Sequence, residues 1–480
     1  MKKILTLVLL IALSISTNAQ NKHELRIVKG KIDTVYSANL TFKGVTTPGA
    51  TLSVNGESFK VYKTGCFGRM EKLKLGENNF KVVSTLKGSV LEESFSVFYT
   101  DQAAPQPMLK IIPIKDSTYY VKTLPEAFLL YGTSDDRLGG AKMNFIDEGI
   151  VLKVVQKYGE LLKVQLSENR YAHIPESVTE PTQETTIEGT TLNWRVKNIG
   201  DYDRVSIGLP AKQAYIVRGE IDPNTIIVDI FGAQCNSNWI IQELNLGIIE
   251  YVDFEQVEYD VFRAKIRLNS KYAWGYTVNY TDNILNINVK HAPKPTLKGM
   301  VIAVDAGHGG PSSSGAVSTS GIMEKVVNLD LALTMKKMLE AKGAKVVLTR
   351  LGDEEVYLGE RINIARRANA DMLISIHNNA TGGNQFTVKG ASTYYRHIQS
   401  RELAKSILVR MTEIDGVENF GLVGNFNFKL NSPTDFPSVL IEAQFMSHFE
   451  DEERIADPKF RKELMKKAVQ GIEDYVKHSK

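Results

Sequence analysis

Cysteine is almost missing: Cys66 and Cys235 are the only two in 480 residues. A disulfide framework is thereby excluded, and because the two fall in different predicted modules, a single bridge is the most they could make. Long apolar runs are missing too. The one candidate, Ile4 to Ile15 within MKKILTLVLLIALSISTNAQ, is shorter than the ~20 residues a membrane-spanning helix needs. Headed by Lys2 and Lys3 and closing on small residues, it reads as a secretory signal, residues 1–19, cleaved after Ala19. No cysteine follows that point to carry a lipid, and no later stretch reaches spanning length. Neither sign of charge is in real excess: 58 Lys and Arg face 55 Asp and Glu, a net +3 that loss of Lys2 and Lys3 lowers to +1. The basic residues are interspersed with acids rather than gathered on one face, which argues against a nucleic-acid partner. These absences leave an exported protein, periplasmic or cell-envelope associated, with no integral membrane segment after cleavage.

The chain is too long for one hydrophobic core, so it is expected to form several modules. Residues 26–100 alternate polar and apolar in short runs with turn signals, and Asn55-Gly56 suits a tight hairpin. This stretch, PGATLSVNG and GCFGRMEKLKLGENNFKVV above all, resembles bacterial immunoglobulin-like β-sandwiches. DQAAPQPMLK follows as a linker. Residues 110–180 carry AFLLYG, GIVLKVVQKYG and LLKVQLSENRYAHIP, closely spaced strands that resemble an SH3-like barrel of the wall-associated kind. His173 lies there and is expected to be a packed or surface residue rather than a ligand. Residues 185–292 alternate again in RVSIGL, TIIVDIFG, RAKIRLNS and ILNINV, and are similar to β-rich targeting or regulatory domains.

After PKPT the texture changes. Residues 298–480 alternate strands (MVIAVD, KVVLTR, DMLISIH, ASTYYR, SVLIEA) with amphipathic helices, which predicts an α/β domain with a largely parallel sheet. Val327, Leu331, Met335, Met338 and Leu339 recur at helical spacing. The last helix is announced by Asp457 as cap and Pro458 in its first turn, with Phe460, Leu464, Ala468, Ile472 and Tyr475 along one side.

In open α/β sheets, ligands lie at the carboxyl ends of the strands. His308 follows MVIAVD, His377 ends DMLISIH, Glu442 lies near the end of SVLIEA, and Glu324 opens the helix after the His308 loop. Two imidazoles and a carboxylate are what a catalytic zinc ion accepts, with a position left for water. His308, Glu324 and His377 supply that set, and Glu442 is then free to act as an acid/base. Glycines around His308 let the backbone approach closely. Asp305 is placed either to orient a ligand histidine or to cap the loop. His23, His291, His397, His448 and His478 lack this context and are given no role.

DAGHGG, GIMEKVVNLDLAL, ANADMLISIHNNA and SVLIEAQFMSH, in that order and spacing, resemble the zinc-dependent N-acetylmuramoyl-L-alanine amidases of the type 3 family over residues 298–480. The resemblance implies one zinc ion on His308, Glu324 and His377, Glu442 as catalytic acid/base, and peptidoglycan as partner and substrate. The bond implied is the amide between N-acetylmuramic acid and the L-alanine of the stem peptide. The sequence departs from the family in two places: GHGGPSSSGAV lacks the aspartate members often carry, and Gln444 and His448 replace the commoner glycine and asparagine. Substrate positioning is what these departures touch. Two other readings remain open, a wall-binding scaffold that keeps the zinc fold without turnover, and a zinc peptidase or deacetylase on another wall amide. The sequence is silent on whether an activator protein is required.

Overall fold

The computed structural model describes residues 22–102, 114–382 and 385–479. The expected signal segment and most of the first linker lie outside the described residues. The chain divides into two compact units, residues 1–106 and 107–480.

In the first unit, strands Leu25–Lys29, Asn39–Thr46 and Cys66–Lys72 form one antiparallel sheet. A five-stranded sheet is built around the long pair Gly76–Leu86 and Ser89–Tyr99. Alternation along NLTFKGVT turns Leu40 and Phe42 inward, where Phe42 stacks on Phe80 and Phe95. At Asn55-Gly56 both residues have positive φ, 51° and 84°, and the turn closes the pair Val54 and Glu57.

In the second unit, residues 114–182 contribute one seven-stranded sheet, and residues 189–290 sheets of two, five and four strands. The two stretches, separable by pattern in the sequence, share one continuous hydrophobic core running from Val121 to Val289 through Trp194 and Phe262. Polar contacts join them as well: Asp147 Oδ2 accepts from the Tyr215 hydroxyl (3.0 Å) and the Tyr280 amide (3.2 Å). Cys66 and Cys235 are both free thiols.

The C-terminal part is a six-stranded sheet with helices. In chain order its elements are β1 (Val301–Ala306), α1 (Glu324–Ala341), β2 (Lys345–Leu348), α2 (Leu358–Arg367), β3 (Met372–Asn379), β4 (Ala391–Tyr394), α3 (Arg401–Met411), β5 (Asn419–Val423), β6 (Ser438–Phe445), α4 (Phe449–Ala456) and α5 (Pro458–Lys477). The strand order is β2-β1-β3-β6-β4-β5. β1 runs parallel to β2 and β3, and β3 parallel to β6, whereas β4 is antiparallel to β6. Both faces are covered, which is why the central strands are apolar nearly throughout. On one face Ile302, Val304, Ile374 and Ile441 pack against Val327, Leu331 and Met335 of α1 and Leu464, Ala468 and Ile472 of α5. On the other, Ala303 and Leu373 meet Ile362 and Ala365 of α2. Asp457 caps α5 as its sequence announces, accepting from the Lys459 amide at 2.9 Å. Trp274, from the preceding β-rich stretch, is fully buried in the first of these cores against Tyr475. No helix among the described residues is long and apolar enough to cross a membrane.

Candidate metal centre

At the carboxyl end of β1 the chain turns through Gly307 into His308, whose φ of 62° is left-handed. That conformation costs a non-glycine residue roughly 1–2 kcal/mol and persists only where its surroundings impose it. Two buried arginines do so by binding three successive carbonyls. Arg350 donates to Ala306 O (2.8 Å) and Gly307 O (3.0 Å), and Arg361 to Ala306 O (2.7 Å) and His308 O (2.8 Å). Ser313 Oγ lies 3.0 Å from His308 Nδ1. The other ring nitrogen, Nε2, is thereby turned to Glu324 Oε2 at 3.2 Å.

Glu324 is the first residue of α1 and is 4% exposed. The positive end of the helix favours a carboxylate there. It accepts from the amides of Ala316 (2.7 Å) and Asn378 (3.1 Å) and from Asn328 Nδ2 (3.1 Å). His377, near the end of β3, places Nδ1 at 3.0 Å from Glu324 Oε1. The two imidazole centroids are 4.9 Å apart, and one donor atom from each of His308, Glu324 and His377 lies within 4.8 Å of the others. Burial pushes the Glu324 carboxyl up, but hydrogen bonds and charge from the two histidines outweigh it and hold the group below the usual carboxylate range. Two imidazole nitrogens and an ionised carboxylate oxygen are a donor set that fits a zinc ion with a position to spare. The pocket is built tightly around these donors. A Cβ at Gly307 would stand 2.3 Å from the His377 ring, and one at Gly315, where φ is +68°, 2.5 Å from Glu324 Oε2.

Glu442 lies on β6 directly beside His377 of β3. Its Oε2 is buried and accepts no hydrogen bond among the described residues. Burial first, and the charge of Glu324 next, push its carboxyl well above the ordinary value, with Arg137 opposing. A carboxyl displaced in this sense beside a candidate metal ligand is suited to holding and releasing a proton. All four residues singled out in the sequence are therefore brought together.

Asp305 does not orient a histidine. It accepts from Arg361 (2.7 Å), Thr349 Oγ1 (2.6 Å) and Ser375 Oγ (2.7 Å), and so anchors the arginine that holds the His308 turn. Arg350, Arg361 and Asn328 carry no sequence signal that marks them out, being charged or polar residues among many. His173 packs against Tyr158, and His291 pairs with Asp203 at 2.8 Å; neither joins the cluster.

A family model described as N-acetylmuramoyl-L-alanine amidase matches residues 302–474. The uncharacterized protein YqiI of Bacillus subtilis is 30% identical over 183 residues, which cover 37% of this chain and 86% of that protein. The chain belongs to the N-acetylmuramoyl-L-alanine amidase family. Amidase LytC of Bacillus subtilis is 33% identical over 215 residues, 44% of this chain and 42% of its own. Among solved structures, amidase AmiC2 of Nostoc punctiforme shows 32% identity over 37% of this chain and 98% of that one, with a TM-score of 0.36. The chain spans 42%, 53% and 59% of the first three curated relatives. The stretch matched to the amidase family takes in His308, Glu324, His377 and Glu442, and leaves the β-rich residues before it outside.

Proposed function

We propose that the protein is a zinc-dependent peptidoglycan hydrolase cleaving the amide between N-acetylmuramic acid and the L-alanine of the stem peptide. The observation that carries this reading is the convergence of His308, Glu324 and His377 on one point, with Glu442 on the neighbouring strand, inside the stretch matched to the amidase family. His308, Glu324 and His377 would hold the ion. Bound there, zinc supplies Lewis acidity to a water molecule and to the amide carbonyl.

The chain's own residues do the rest. Ser313 keeps His308 Nε2 aimed inward, and Asn328, Ala316 and Asn378 fix the Glu324 carboxylate. Glu442 takes a proton from the attacking water and returns it to the alanine nitrogen as the C–N bond breaks, a transfer worth ~10² to 10⁴ in rate. A bound ion would neutralise the charge of Glu324 and so remove the lesser of the two causes that raise Glu442, with burial remaining.

The β-rich residues 26–292 are proposed to place or restrain this domain on the wall. An exported, periplasmic or envelope location belongs to the same reading, supported by relatives named as cell wall amidases. Mass spectrometry of digested peptidoglycan is the test. Release of intact stem peptides, abolished by chelation and restored by zinc, is the expected result. Cuts inside the stem peptide would favour a peptidase, and bound zinc without turnover a scaffold.

A further inference from the structure

Residues 131–141 join the strands Phe128–Leu130 and Lys142–Phe145 as an irregular loop of the β-rich sheet of residues 114–182. The loop is pinned to the catalytic domain. Asn427 Nδ2 donates to Leu138 O (3.2 Å) and Gly140 O (2.8 Å), and Arg396 Nη2 to Lys142 O (3.0 Å). Asn427 stands between two aromatic neighbours that lead back to the site. The Phe426 ring is 4.6 Å from that of Tyr394, which hydrogen-bonds Asn379 at the end of β3, and the Phe428 ring is 6.0 Å from that of His377.

Inside the loop, Asp136 accepts from the amides of Leu138 (2.7 Å) and Gly139 (2.9 Å), a turn that leaves Arg137 exposed at its tip. Arg137 has no hydrogen bond or ion pair among the described residues. Its charge nevertheless bears on two groups of the cleft. It opposes burial and Glu324 at Glu442, and it opposes burial and Glu442 at Tyr394. An exposed, unpaired guanidinium on a loop pinned at Asn427, between the aromatic rings that touch Tyr394 and His377, is a receptor for a carboxylate, whose two oxygens match its fork of donors.

We propose that loop 131–141 forms one wall of the catalytic cleft, and that Arg137 binds a free carboxylate on the stem peptide of the substrate. Substrate recognition is then shared between the catalytic domain and the β-rich module before it. The inference rests on the amidase reading above and names a specificity determinant for it.

The test uses the full zinc-loaded chain and two soluble N-acetylmuramoyl peptides, identical except that the stem-peptide carboxylates are free in one and amidated in the other. The parent protein is expected to prefer the free acid. Arg137→Ala should lose about tenfold more in kcat/KM on the free acid than on the amidated peptide, the difference carried by KM. Arg137→Lys should recover part of the loss, and Asn427→Ala, which frees the loop, should resemble Arg137→Ala. Equal losses on both peptides, unchanged kinetics, or faster turnover from a loop that had only covered the cleft would each overturn the proposal. A parent protein that releases peptide from neither substrate overturns the amidase reading itself, and this inference with it.

Discussion

Glu442 is the residue on which turnover should depend without metal binding depending on it. Glu442→Gln keeps the shape and loses the titrating oxygen, so bound zinc should match the parent while kcat falls by ~10² or more. Zinc content and peptide release measured on the same preparation check this. Chelated protein offers a second readout. A carboxyl raised in the folded state favours folding at acid pH and loses that benefit as pH rises above its ordinary value. Chelated Glu442→Gln should therefore gain stability over the chelated parent as pH rises above the ordinary carboxyl value of 4.5, and a gap in melting temperature that shrinks with pH would contradict it. His397 works in the opposite sense. Burial, then the charge of Arg396, lower its value to about 4, and its Nε2 faces Ser432 O at 2.9 Å. Its contribution is complete above its unfolded value of 6.5 and is lost as pH falls toward 4, up to about 3 kcal/mol. Urea midpoints of the parent should fall more steeply over that range than those of His397→Gln.

At the scale of elements, the connection from β1 to α1 decides the geometry of the centre. Its two ends carry His308 and Glu324, and Gly315 between them packs against both, with a would-be Cβ 2.5 Å from Glu324 Oε2 and 2.6 Å from His308 Cδ2. Gly315→Ala adds that atom at a left-handed position and must push one ligand aside. Zinc affinity should drop by ~10- to 100-fold, the range seen when ligand orientation is disturbed, with far-ultraviolet circular dichroism unchanged. Parent-like affinity in a competition titration would show that the loop yields without moving the ligands. Glycines near His308 are visible in the sequence as a run. The arginine clamp that imposes the left-handed turn is not, because Arg350 and Arg361 reach the Ala306–His308 carbonyls from two other elements.

For the whole molecule, the catalytic domain is not sealed at its own first residue. Trp274 sits at 0% exposure in the core that α1 and α5 build, its ring 5.3 Å from that of Tyr475. Lys290 Nζ donates to Ala370 O at 2.9 Å and lies 3.0 Å from Asp371. Trp274→Ala should cost about 3–5 kcal/mol by emptying that socket. A fragment of residues 298–480, which lacks the tryptophan altogether, should bind zinc yet unfold at lower denaturant than residues 107–480. Equal midpoints for the two fragments would mean that the Trp274 contact adds nothing.

Taken alone, the sequence determined five of the six strands of the C-terminal sheet, all but β5, together with the apolar stripes of α1 and α5, the Asp457 cap, and the four residues that meet at the centre. Each of these is a local matter: apolar periodicity, a turn-compatible dipeptide, or a polar side chain at the end of an apolar run. Only the tertiary structure decided that Asp305 anchors Arg361 instead of a histidine, that residues 114–182 and 189–290 share one core, and that the loop carrying Arg137 is pinned to the catalytic domain at Asn427. These depend on contacts between residues far apart in the chain, and periodicity carries no information about which distant partner a buried charge or an exposed loop will meet.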